Sequence, residues 1–83
     1  MKKVLVEVTS PAAGLTYDMF VPSTLRIGEI VSLISNLFAQ TSNGMYVRSE
    51  PAVLCERKSG YVYDFRHTVQ EADIRNGTKL ILF

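Results

Sequence analysis

The chain has 83 residues, a net charge of +1, 47% hydrophobic and 20% charged residues, and one cysteine. So short a chain builds a single core, so one domain is expected over residues 1–83, folded rather than disordered. The nine Lys and Arg are scattered and form no basic stripe, which excludes a nucleic-acid surface, and a lone cysteine allows no internal disulfide.

Neither export nor membrane insertion is legible. Glu7 interrupts the apolar run Val4-Leu5-Val6 well short of the ~7–15 residues a signal peptide needs. The longest apolar stretch, Ile30 to Phe38, is broken by Ser32, Ser35 and Asn36, whereas a membrane span takes roughly 20 apolar residues. A cytoplasmic domain is expected.

Lys3 to Val8 alternates as a strand does, with Val4, Val6 and Val8 on one face and Lys3, Leu5 and Glu7 on the other. Thr9 to Gly14 has the composition of a loop, and Thr16 to Val21 alternates again, giving an N-terminal hairpin that Pro22 ends. From about Arg26 to Ala39 the period becomes helical: Ile27, Ile30, Val31, Ile34, Leu37 and Phe38 form one stripe, widened at its edge by Leu33. Ser23 and Thr24 are candidate caps without a clean capping box, and Thr41 to Gly44 supplies a stop, with Gly44 suited to a left-handed conformation. Met45 to Pro51 gives no clear pattern.

Ala52 to Arg57 reads as a third strand, Lys58-Ser59-Gly60 as a turn and Tyr61-Val62-Tyr63 as a short fourth strand. Asn76-Gly77 is a turn with a mechanism, since both residues tolerate positive φ, and Thr78 to Phe83 is a closing strand. The order predicts an α+β fold: a mixed sheet of four or five strands with one helix on one face, its first and last strands paired in parallel at the centre.

This order resembles the ubiquitin-like β-grasp fold. Two stretches, Tyr17-Asp18-Met19-Phe20-Val21-Pro22 with Leu25, Ile27, Ile30 and Val31, and Asp73-Ile74-Arg75-Asn76-Gly77-Thr78-Lys79-Leu80-Ile81-Leu82, resemble the YukD/EsaB family, the small ubiquitin-like proteins of bacterial type VII secretion loci. That family commonly carries an acidic residue after the glycine, where this chain has Thr78 at what is expected to be a solvent-facing position. The resemblance implies a non-catalytic accessory that docks on cytoplasmic parts of the secretion machine, such as its ATPase or a membrane component.

The residues argue against chemistry. A ubiquitin-type modifier or sulfur carrier, the alternative reading, needs a flexible C-terminal Gly-Gly, and this chain ends Leu82-Phe83. Cys55 and His67 have no fixed relation, one Cys and one His cannot close a zinc site, and no glycine spacing makes a phosphate loop, so no cofactor is expected. Glu71 and Asp73 are expected to cap or solvate a turn.

The two-residue period then forces a second surface. If Val4, Val6, Val8, Tyr17, Met19, Val21, Val53, Cys55, Leu80 and Leu82 lie under the helix, the opposite face receives Leu5, Phe20, Leu54, Ile81 and Phe83. With strand order second, first, last, third, these five make a continuous apolar band. It is expected to be a protein-binding surface, the face ubiquitin relatives use as the resemblance implies, and it also allows a weak homodimer. On that reading, glutamate at Leu54 or Phe83 weakens partner binding without unfolding the domain.

Overall fold

The computed structural model describes residues 2–41 and 52–83. Strands β1 (Lys3–Ser10) and β2 (Leu15–Pro22) form the hairpin, α1 (Ile27–Thr41) follows, and β3 (Leu54–Glu56) and β4 (Thr78–Leu82) complete a sheet ordered β2-β1-β4-β3. β1 is antiparallel to β2 and parallel to β4, and β3 is antiparallel to β4.

The hairpin strands run further than alternation alone suggests, because Ser10 pairs with Leu15. Ser10 also organises the connection: its carbonyl accepts from the Gly14 N–H and its hydroxyl from the Ala13 N–H, while Gly14 takes the positive φ (66°) that brings the chain back. Thr9 and Ser10 are therefore strand, not loop.

Valine side chains from β1 (Val4, Val6, Val8) and leucines from β4 (Leu80, Leu82) are buried with Ile27, Ile30, Val31, Ile34 and Phe38 of α1. Val21 joins them, while Tyr17 and Met19 pack partly buried against this core, Tyr17 with its ring centroid 5.6 Å from that of Phe38.

Ser23 does not cap the helix. It is buried, with its hydroxyl donating to the Lys2 carbonyl. Instead, Glu29 reaches back to the Arg26 N–H, and two N–H groups of the first turn donate outside the helix, Ile27 to the His67 carbonyl (2.8 Å) and Gly28 to the Phe65 carbonyl (3.2 Å). A distant loop thus satisfies donors that every helix start leaves orphaned. The stop expected at Gly44 and the stretch Met45 to Pro51 lie outside the described residues.

The third strand corrects the sequence reading. Leu54 pairs with Leu82 and is completely buried in the core, whereas Cys55 pairs with Ile81 on the opposite face. Val53 and Cys55 do not point under the helix, and Leu54 does not belong to the exposed band. Tyr61-Val62-Tyr63 is not a full strand: it makes one bridge, Val62 to Cys55, flanked by hydrogen bonds between Glu56 and Tyr61 and between Tyr63 and Leu54. Tyr63 is buried, as are Val69 and Ile74 from the long connection to β4.

In that connection Thr68 and Glu71 cap each other: the Thr68 N–H donates to the Glu71 carboxylate and the Glu71 N–H to the Thr68 hydroxyl. At its end, Gly77 (φ 88°) donates to the Leu5 carbonyl and the Asn76 side-chain oxygen accepts from the Leu5 N–H at 2.7 Å. Thr78 is half-buried and paired with Val6, on the helix side, with its hydroxyl accepting from the Arg75 N–H. It closes the turn rather than merely facing solvent.

Two stability measurements check these assignments. Leu54→Ala should cost about 2–5 kcal/mol in chemical denaturation, as emptied core sites do; a loss near zero would return Leu54 to the surface. Asn76→Ala should cost about 0.5–1.5 kcal/mol and speed hydrogen exchange at the Leu5 amide, the signature of one lost hydrogen bond.

Candidate partner-binding face

The face of the sheet away from α1 can be laid out row by row from the strand pairing. In the first row Leu5 lies opposite Phe20, 37% and 66% exposed. In the second, Glu7 lies between Asp18 and Lys79. In the third, Thr9 lies between Thr16 and Ile81, and Ile81 opposite Cys55, which bridges Val62. One row on, Phe83 and Val53 exchange both backbone hydrogen bonds, at 2.8 and 3.2 Å.

Of the five residues expected to form the band, Leu5, Phe20, Ile81 and Phe83 lie on this face and Leu54 does not. Nor is the apolar surface continuous. Leu5 and Phe20 form one cluster; half-buried Ile81 and Val53, exposed Val62 and Phe83 (53%) and buried Cys55 form another. Four residues along β1 separate their rows, about 13 Å at strand rise. The charged row lies between them, with Lys79 Nζ 3.9 Å from Glu7 Oε2. That pair is partly exposed and adds little stability, but it sets where each sign of charge lies on the face.

Val53, Cys55 and Val62 are the residues sequence reasoning placed elsewhere. Val53 and Cys55 were expected in the core and Val62 in a separate strand. The bridge between Cys55 and Val62 could not be read from a period, because it follows a turn rather than a strand.

Several ionisable groups near the sheet are held in local hydrogen bonds. A groove of about 400 Å³ between the 56–61 turn and the start of β4 is lined by Glu56, Lys58, Tyr61, Tyr63 and Asp73 among others. Its carboxylates are already engaged: Glu56 accepts from the Lys58 and Ser59 N–H groups, and Asp73 from the Arg75 guanidinium. The Lys58 N–H in particular holds Glu56 below the usual glutamate range, and the hydrogen bonds from Thr68 do the same for Glu71. A general acid needs the opposite shift. Burial pushes the Tyr63 hydroxyl up to about 12, which keeps it neutral. Cys55 is a buried thiol, and His67, exposed at its side chain, serves the fold through its carbonyl. Among the described residues no three metal-ligating side chains cluster, and no helix is long and apolar enough to cross a membrane.

No protein-family model matches the chain, and no curated protein matches it in sequence. Solved structures do match over its full length. The ubiquitin-like domain of EccD5 from Mycobacterium xenopi superposes with a TM-score of 0.84 at 10% identity, covering 100% of this chain and 94% of that domain. A chain of the MycP5-free ESX-5 inner membrane complex gives 0.81 at 12% identity, covering 100% of this chain and 21% of its own length. Caldiarchaeum subterraneum ubiquitin gives 0.76 at 11% identity, covering 98% and 91%. Identities this low speak for the fold alone. The strand order, the parallel centre and the helix on one face agree with these likenesses, and the chain has the ubiquitin-like β-grasp fold.

Proposed function

We propose that this chain is a YukD/EsaB-like accessory component of a bacterial type VII secretion machine, acting in the cytoplasm by binding a larger subunit rather than by catalysis. The observation that carries this reading is the end-to-end likeness to the EccD5 ubiquitin-like domain, seen again in a chain of the ESX-5 inner membrane complex. The two stretches that resemble the YukD/EsaB family, mostly core positions, agree with it. The engaged carboxylates and buried thiol support a binding role.

The binding surface on this reading is the sheet face away from α1, with Leu5 and Phe20 at one end and Ile81 and Phe83 at the other. Leu54 is withdrawn from it. Large exposed aromatics beside partly buried aliphatics are the material of binding hot spots. A standard interface buries about 800 Å² per partner, so a specific partner has to span both clusters and cross the charged row between them. Basic groups on the partner would face Asp18 and Glu7, and an acidic group would face Lys79. The partner class is the secretion ATPase or a membrane component of the machine.

Binding to the cytoplasmic regions of these subunits, taken from the same genome and measured by calorimetry, tests the reading. Phe20→Glu and Phe83→Glu should each weaken the complex by about 1–2 kcal/mol, and leave unfolding within about 0.5 kcal/mol of the parent. Failure of every subunit of the machine to bind would overturn the assignment. So would a covalent adduct or thiocarboxylate in the intact mass after incubation with extract and ATP, which belongs to a modifier or sulfur carrier.

A further inference from the structure

The two edges of the sheet are not alike. β3 is covered by its own chain, through the Val62 bridge and the hydrogen bonds on either side of it. β2 is the other edge, and among the described residues nothing pairs with its outer side.

The register says which of its groups are open. Ser23 N–H donates to the Lys2 carbonyl, so the antiparallel alternation makes Val4–Val21 and Val6–Met19 the hydrogen-bonded pairs. Leu5–Phe20 and Glu7–Asp18 are then non-hydrogen-bonded pairs. Leu5 confirms this, because its N–H and carbonyl both turn the other way, to Asn76 and Gly77. The backbone N–H and carbonyl groups of Asp18 and Phe20 consequently point outward from the sheet.

Beside that edge lies an apolar groove of about 150 Å³ between β2 and α1, lined by Met19, Val21, Pro22, Ile30, Leu33 and Leu37 among others. Leu33 is 59% exposed, on the flank of a helix whose other large apolar residues are mostly buried. The contact of Tyr17 with Phe38 shows that α1 runs back along β2, so the groove follows the strand. A row of open backbone groups next to a parallel apolar trough fits an added strand: the backbone ladder supplies affinity and the trough selects alternate side chains.

Charge narrows the occupant. Over their whole lengths the two bordering elements carry one charged residue each, Asp18 and Glu29, and both are acidic. Arg26, just before the helix, has its guanidinium held on the Arg66 carbonyl. In a second copy pairing β2 with β2 antiparallel, only the register with Phe20 opposite Thr16 matches all the open backbone groups. The register with Phe20 opposite Asp18 sets Thr16 against Pro22, which has no N–H and whose carbonyl already accepts from Leu25. The matching register sets Asp18 against its own mate, and like charges directly opposite are destabilising. We propose that the open edge of β2 and the groove between β2 and α1 take an extended peptide of a partner protein as an added strand, apolar at alternate positions and basic beside Asp18. This surface adjoins the sheet face at Phe20 and Asp18 but does not depend on the secretion assignment.

Titration with synthetic peptides tests it without any secretion component. The probes are acetylated nonapeptides with Val, Ile, Leu or Phe at every second position, Thr between them and Lys at either end. In the free protein the Asp18 and Phe20 amides should exchange freely with solvent. At least one probe should saturate with a dissociation constant below about 1 mM, and should protect those two amides. Leu33→Glu should weaken binding about tenfold, and Asp18→Lys should reverse the preference for a Lys-ended over a Glu-ended probe, each fivefold change being about 1 kcal/mol. N-methylation of alternate probe residues should abolish binding in one phase and spare it in the other. Saturation by none of the probes, protection of Asp18 and Phe20 before peptide is added, or protection mapped elsewhere would overturn the proposal. Concentration-dependent dimerisation that protects these amides would overturn it in favour of a second copy.

Discussion

The return of the last strand to the first holds this structure together. Leu5 gives both its backbone groups to the far end of the chain: its N–H to the side chain of Asn76, 71 residues away, and its carbonyl to the Gly77 N–H. Beyond that point Val6 to Thr9 run parallel to Thr78 to Ile81. β1 is thereby paired on both sides, and its three valines become the floor on which α1 sits. Parallel neighbours need a crossover, and the path from β3 to β4 supplies part of one. That path is laced to the start of the helix: His67 and Phe65 carbonyls receive the first helical N–H groups, Val69 N–H donates to the Leu25 carbonyl and Gln70 N–H to the Ser23 carbonyl. The long connection therefore packs at the helix side, with Val69 and Ile74 in the core. Among the described residues, none of this connection crosses to the other side of the sheet.

What could be read in advance depended on whether each segment carried a phase. In β1 the valines alternate with Lys3 and Glu7, so only one face can be buried, and the structure agrees. In Val53-Leu54-Cys55 every residue is apolar, and a two-residue period without contrast cannot say which residue turns inward. The pairing of Leu54 with Leu82 decides it, and that is a long-range fact. The helix start was blurred for a related reason. Its donors are satisfied by carbonyls from residues 65 and 67, and a carbonyl has no signature in sequence. Val69 enters the core as a single apolar residue in a polar stretch, where no period exists to announce it.

The candidate face shows a second limit. Alternation assigns a residue to a face but does not name its neighbours across strands. Period alone assigns Leu5, Phe20, Ile81 and Phe83 to one surface, yet whether they touch depends on the parallel register of β1 with β4. That register places Lys79 beside Glu7 and Ile81 beside Thr9, so the charged row falls between two apolar clusters. As a binding face, a surface divided in this way would discriminate better than a uniform one of equal area, because a partner would have to desolvate Glu7, Asp18 and Lys79 against matching groups or lose the clusters on either side.

Phe20 stands where the two surfaces meet. Its ring lies on the open sheet face opposite Leu5, while its backbone N–H and carbonyl lie along the open edge of β2. A strand added at that edge would extend the sheet face by one more strand, beside the ring. A partner seated on the face would in turn hold Phe20 and stiffen the backbone that the strand must pair with. Two ligands that meet at one residue exchange free energy through it, and linkage requires the effect to be mutual. The sign follows from size: a short strand that widens the apolar ledge beside Phe20 adds contact area for the second partner, whereas a bulky segment overhanging the ring removes it. Selection at this corner would act on what flanks an added strand as much as on the strand itself.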